Sequence, residues 1–354
     1  MATNREKQPL TQSIEKFDTL RGFLKDSDRF KVSLLEEHGT FPYELLSYLL
    51  SKTGKPQVSL YVEELRRNPT GVVRFSEKKV SRDKNEKTGL VPDLDEFLRE
   101  SFSNPVKDTI GTNLHLCYMI IIAPVVHLLE EPEIIIVPDP SMYQVPFAAL
   151  IDQEGKWLSE TKRIRIVPSL TTLKLIQDSP SDYHNQTGAL IVGDPVVGVV
   201  LYKDRRKEIT PLPKAKKEAD MIAELLGVTA LIGNHATKQA VLEAMNSVSL
   251  IHFAAHGSDE RGEIFLSPER TNSRVPPREE AYLLTMEDIS KIQLRAKLVV
   301  LSCCHSARGQ IRTEGVIGIA RAFLGSGARS VLAARWALED EATEQFMTCF
   351  YKHL

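Results

Sequence analysis

The sequence predicts an α/β fold with a mostly parallel sheet and helices on its faces. Three observations carry this expectation. From Ile134 onward, short apolar runs alternate with helical segments, the pattern of strand–helix crossovers. KLVVLSCC (297–304) is almost continuously apolar and β-branched, as a strand covered on both faces must be. KAKKEADMIAELL (214–226) sets Ala219, Ile222, Leu225 and Leu226 at helical spacing opposite a charged face.

Each element follows from local signals. A helix is expected from Leu94 into the apolar run CYMIIIAPVVHLL (117–129), which is shorter than the roughly 20 residues of a spanning helix, is interrupted by Pro124, and belongs in a core. IIIVPDP (134–140) is a strand stopped by Pro-Asp-Pro; RIRIVPS (163–169) and ALIVGDP (189–195) are the next two. After the helix at 214–226 come a short run at 230–232 and a helix at 237–244 capped by Thr237. LIHFAA (250–255) is a strand ending in His256-Gly257. GEIFLSPE (262–269) and AYLLT (281–285) are expected to pair as a hairpin, with Thr285 and Asp288 forming a capping box. Beyond 297–304, a helix from Glu314 to Leu324, a Gly-Ser-Gly turn and a strand at 330–334 complete the alternation.

Composition narrows the function classes. The chain has 354 residues, 42% hydrophobic and 26% charged, with a net charge of -2. That is an ordinary globular balance, without the basic field that nucleic acid or an anionic membrane surface demands. The four cysteines are too few for a disulfide framework and read as reduced intracellular thiols. The opening MATNREKQPLTQSIEKF lacks the apolar centre of a signal peptide. A cytoplasmic protein without a membrane span is expected. Residues 1–110 carry only helix-like patches such as YELLSYLLSK (43–52) and the charged stretch SEKKVSRDKNEKTG (76–89), read as a solvated loop.

Two expected strand ends deliver reactive side chains, FAAHG at His256 and LSCCHSARG at Cys304. Sites in open α/β sheets form just beyond the carboxyl ends of strands, so this His and Cys can lie side by side. A thiol is little ionised at neutral pH, and a neighbouring His supplies the base that makes it a nucleophile. The backbone N–H groups of Gly257 and Cys304 are candidate oxyanion donors. Cys303, adjacent on the strand, points to the opposite face and reads as core; His252 and His305 read as structural or exposed. Adjacent Cys303, Cys304 and His305 fit tetrahedral zinc poorly, and VGDP (192–195) lacks the spacing of a phosphate loop, so neither a metal nor a nucleotide is expected.

The ordered motifs IIIVPDPSMYQVPFAAL, IVPSLTTL, LIVGDP, LPKAKKEADMIAELLG, IHFAAHG, IFLSPE, LTMEDI, VVLSCCHSARG and GVIGIARAFLGSGARSVLAARWALEDEAT resemble the CHAT domain, a caspase-like module related to separases and often joined to tetratricopeptide repeats. The resemblance implies a three-layer α/β/α caspase-like sandwich. A catalytic half at 181–354 would follow a related non-catalytic half at 111–180 and an N-terminal extension at 1–110. It implies a cysteine endopeptidase with Cys304 as nucleophile, His256 as base and no cofactor. Asp340 and Trp336 fall where related enzymes line a pocket for a basic P1 residue; by itself, Asp340, with Glu339 and Glu341, reads as the acidic N-terminal turn of a helix. The implied partners are a protein substrate and a tetratricopeptide-repeat or regulatory protein. A catalytically silent or latent scaffold is the alternative from a different class, and residues 76–89 are a candidate self-cleavage segment.

Overall fold

The computed structural model describes residues 47, 60, 62, 110–138, 142–143, 145–184, 186–258, 262–269, 275–304, 310–312, 315–334 and 340–354. Apart from Ser47, the patch at 43–52, the charged stretch at 76–89 and the expected helix start at Leu94 lie outside the described residues. The chain divides into two compact units, Met1–Leu175 with Ile311–Gly315, and Ile176–Gln310 with Val316–Leu354.

In the first unit, helix α1 (Ile110–Cys117) runs into a π turn (Tyr118–Ile122) and a 3-10 segment (Ala123–Leu128). Pro124 lies in the opening positions of that 3-10 segment, where its missing N–H is tolerated. Strands β1 (Glu133–Ile136) and β2 (Arg163–Ile166) pair in parallel, with α2 (Leu158–Thr161) between them in sequence. Cys117, Ile122, Ile134, Val145, Phe147, Leu150 and Leu158 form the core of this unit. The apolar run therefore meets its expected role only in part: Cys117 and Ile122 are buried, whereas Val125, Val126 and Leu128 are exposed. Among the described residues, Gly111–Leu128 is one helical stretch long and apolar enough to cross a membrane.

Helix α3 (Leu170–Gln177) contains the boundary between the units. The second unit then runs through β3 (Ala189–Gly193), β4 (Gly198–Tyr202), β5 (Arg205–Ile209), α4 (Pro213–Leu226), β6 (Leu231–Ile232), α5 (Lys238–Ala244), β7 (Leu250–Ala254) and β8 (Ile264–Phe265). It continues with α6 (Glu279–Tyr282), β9 (Leu283–Leu284), α7 (Met286–Ser290) and β10 (Leu298–Ser302). Short strands β11 (Gln310–Arg312) and β12 (Gly315–Ile317) precede α8 (Ile319–Gly325), β13 (Val331–Ala333) and α9 (Asp340–Lys352). Among the described residues, the main sheet has the order β13-β10-β7-β3-β6, all parallel.

Strand alternation distributes the core over both faces of this sheet. Leu190, Val192, Ile251, Phe253, Val299 and Leu301 pack with Val241 of α5, Ile289 of α7, and Ile319 and Phe323 of α8. Ile191 and Val300 point the other way, onto Ala219 and Ile222 of α4 and Met347 and Tyr351 of α9. The fold is thus α/β with helices on both faces of a parallel sheet. The capping box at Thr285 and Asp288, the Thr237 cap and the β8–β9 hairpin all form as expected.

Three details differ from the sequence reading. Leu225 and Leu226 are exposed, because Gly227 (φ +64°) ends α4 immediately after them and the helix packs through Ala219, Ile222 and Ala223. Helix α8 begins at Ile319 rather than Glu314, since residues 315–317 are extended. The β4–β5 hairpin carries no Gly or Asn in its turn and so lacks the usual hairpin signal.

Close packing of α4 on β3 depends on Gly193. A Cβ there would sit 2.3 Å from the Ala219 Cβ and 2.8 Å from the Ile232 Cδ1. Gly193→Ala is therefore expected to force helix and strand apart at a cost of about 1–3 kcal/mol, read as a lowered denaturation midpoint with unchanged m-value.

Candidate active site

The sheet reverses its order of strand addition between β3 and β7, and this is where parallel α/β sheets open a crevice at their carboxyl ends. Three chain exits converge there. β3 leaves through Gly193-Asp194, β7 through Ala255-His256-Gly257, and β10 through Cys303-Cys304.

Asp194 ties the first two exits together. It adopts a left-handed conformation (φ +42°), its N–H donates to the Ala254 carbonyl (3.0 Å), and its Oδ1 accepts from the Leu212 N–H (2.6 Å). The second bond holds the segment between β5 and α4, which contains Thr210. The Thr210 carbonyl lies 2.8 Å from Nε2 of the half-buried His256. A carbonyl only accepts, so this contact assigns the proton to Nε2 and leaves Nδ1 as the basic nitrogen of the neutral ring.

Gly257 brings the β7 and β10 exits into contact. A Cβ at this position would lie 2.3 Å from the Cys304 carbonyl oxygen, so only glycine allows the approach. Gly257 also faces Ile264 in an isolated antiparallel bridge. The flanking bonds, Ser258 N–H to Glu263 O and Phe265 N–H to His256 O, leave the Gly257 N–H unused among the described residues.

The adjacent thiols have different environments. Cys303 is fully buried, its Sγ donates to the Phe253 carbonyl (3.5 Å), and burial pushes its pKa far above the usual thiol range. Cys304 is half-buried at the strand exit. Burial also pushes the Cys117 thiol up, to about 12, whereas Cys349 is exposed. Brief maleimide treatment of the native protein is expected to modify Cys349 while sparing Cys117 and Cys303, both of which react after denaturation; peptide mass mapping reads the difference.

His252 does not face the crevice exits but the α4 side of the sheet. Its Nε2 lies 2.9 Å from Glu218 Oε1, off a hydrogen-bonding direction, and its Nδ1 is 3.0 Å from the Tyr351 hydroxyl. The structural role read for His252 fits this fully buried position.

The other predicted positions are less informative. Trp336 and His305 lie outside the described residues; Asp340 opens α9, and its side chain is not among those described. No group of three or more potential metal ligands occurs among the described residues. Neither Thr210 nor Asp194 is marked for this role in the sequence: a backbone carbonyl leaves no residue-type signal, and VGDP reads as a strand end that lacks the spacing of a phosphate loop.

The profile described as the CHAT domain matches residues 113–354. Tetratricopeptide repeat protein 28 of Homo sapiens is 29% identical over 260 residues, covering 63% of this chain and 10% of that protein. The Mus musculus protein of the same name gives the same identity and coverage. The chain thus spans about a tenth of the length of these curated relatives.

Proposed function

The chain belongs to the CHAT domain family, within a caspase-like cysteine-peptidase clan, and from that premise we propose that it is a cysteine endopeptidase acting through Cys304 and His256. The observation that carries this reading is the His256 Nε2 to Thr210 carbonyl bond, which orients the ring and keeps Nδ1 available at the exit adjacent to Cys304.

In this mechanism Nδ1 takes the Cys304 proton as the sulfur attacks the scissile carbonyl carbon. The oxyanion is met by the N–H groups of Gly257 and Cys304. Collapse expels the amine, which receives the proton from His256, and leaves a thioester on Cys304. Water attacks the thioester with His256 as base, releasing the acid and restoring the thiol.

Asp340, with Trp336 nearby in sequence, is the proposed pocket for a basic P1 side chain. Residues 111–180 are the proposed non-catalytic half, residues 181–354 the catalytic half, and residues 1–110 the extension. A tetratricopeptide-repeat or regulatory protein in the cytoplasm is the proposed partner, and cleavage within residues 76–89 the proposed self-processing event.

The test incubates the full chain with fluorogenic peptides carrying Arg, Lys, Asp or Leu at P1 and with an Arg-ketone probe. Turnover of Arg or Lys peptides and probe labelling are expected, both lost in Cys304→Ala. Silence of a folded wild-type sample across the panel would favour the silent or latent scaffold.

A further inference from the structure

The β4–β5 hairpin places four cations at the end of a two-stranded ribbon. Its turn residues, Lys203 and Asp204, both adopt left-handed backbone (φ +50° and +58°), a conformation that two-residue turns usually assign to Gly or Asn. The strained turn is anchored from outside. The Lys203 N–H donates to Glu279 Oε1 (2.7 Å), the Leu201 N–H to the Pro277 carbonyl (2.8 Å), and the Tyr282 hydroxyl to the Leu201 carbonyl (2.9 Å).

The register sorts the hairpin side chains between its faces. Val200 and Ile209 enter a small core with Phe265, Tyr282 and Leu283. Lys207, opposite Val200, carries its ammonium over the Tyr202 ring (4.8 Å) and the Phe265 ring (5.8 Å), and Lys203 approaches the Tyr202 ring as well (5.3 Å). Arg205 pairs with Tyr202 across the ribbon, and Arg206 with Leu201. Together Tyr202, Lys203, Arg205, Arg206 and Lys207 line an open cavity of about 520 Å³.

The rings hold Lys203 and Lys207, whereas Arg205 and Arg206 have no such partner among the described residues. Among the described residues, Arg205, Arg206 and Lys207 form no ion pair, and Glu279 is engaged with the turn backbone. Asp204 in the turn and Glu208 on β5 offset part of this charge, and the excess of cations that remains is relieved by an anionic occupant. The chain as a whole is slightly acidic, without the extended basic field that a nucleic acid requires. Val199, exposed on the same ribbon, suits an aliphatic side chain of a peptide rather than a sugar–phosphate backbone.

We propose that this hairpin docks an acidic segment of a polypeptide. β5 runs from these cations to Thr210, whose carbonyl holds His256, so a docked chain is held on the ribbon that leads to the candidate active site. That the docked chain is a substrate rests on the peptidase reading; the docking itself does not.

The experiment measures fluorescence anisotropy of a labelled Glu-rich peptide, its Gln counterpart and a short single-stranded DNA against the 354-residue Cys304→Ala chain. The Glu-rich peptide is expected to bind in a salt-sensitive manner and the Gln peptide not to bind. The double variant Arg205→Glu/Arg206→Glu, checked for an unchanged Tm, is expected to weaken binding by about tenfold or more. Lys207→Met, which keeps the aliphatic stem over the rings, is expected to weaken it in the same direction. Failure of the Glu-rich peptide to bind, equal binding by both charge variants, or tighter binding of the DNA would overturn the proposal. In the wild type, attaching the Glu-rich segment to a cleavable peptide is expected to lower KM with kcat unchanged. Absence of turnover for every peptide would count against the peptidase reading, while anisotropy alone decides the docking.

Discussion

Cys304→Ala is expected to lower peptide turnover by on the order of 10⁶-fold, whereas Cys303→Ala is expected to leave turnover near the wild-type level. The two residues are neighbours in sequence, and the contrast comes from strand geometry. Successive side chains at the end of β10 face opposite ways, so Cys303 enters the core against the Phe253 carbonyl and Cys304 remains half-buried at the exit. A thiol as deeply desolvated as Cys303 does not ionise near neutral pH, and the thiolate is the nucleophile. Cys303→Ala should instead cost about 1 kcal/mol of stability through a small cavity. Steady-state kinetics paired with chemical denaturation reads both effects. Retained turnover in Cys304→Ala, or its loss in a folded Cys303→Ala, would remove Cys304 from the mechanism.

The largest stability effect is expected at the buried Glu218–His252–Tyr351 cluster. The His252 and Glu218 side chains are 0% and 4% exposed, on β7 and α4, and Tyr351 brings α9 onto the same point. Burial, reinforced by the Glu218 charge, pushes the Tyr351 pKa up and keeps its hydroxyl neutral, so it can donate to His252 Nδ1. Glu218→Ala leaves the His without its facing carboxylate, and His252→Ala leaves a carboxylate buried alone. His252→Ala is expected to cost about 3–5 kcal/mol, and Glu218→Ala, which strands only a neutral ring N–H, about 1–3 kcal/mol. Tyr351→Phe removes one hydrogen bond and should cost about 1 kcal/mol. Replacing both members, as Glu218→Leu/His252→Phe, should recover most of the loss, because an apolar pair leaves no uncompensated charge. Equilibrium denaturation of the four variants tests the pattern, and additive single effects with no recovery in the double variant would contradict it.

Much of this architecture was legible locally. β3 and β10 are apolar, β-branched runs, β7 is a mostly apolar run with one His, and the Thr285–Asp288 box announces its helix within four residues. His256 and Cys304 could be nominated because each follows such a run. The β4–β5 hairpin was not legible, because Lys-Asp in the turn is held by Glu279 and Pro277 far along the chain rather than by its own conformational preference. Nor was the exposure of Leu225 and Leu226, since their spacing matches the buried face and only the position of Gly227 takes them out of it.

By itself, the sequence determined the α/β class, the strands that end in reactive residues and the glycine required beside one of them, because periodicity, β-branching and turn chemistry are local properties. Tertiary structure alone decided the sheet order that brings β3, β7 and β10 together, the Asp194 bond that holds the Thr210 segment, and the contact of His256 Nε2 with the Thr210 carbonyl. These depend on contacts across the sheet, such as the His256–Thr210 bond spanning 46 residues, which no local preference specifies.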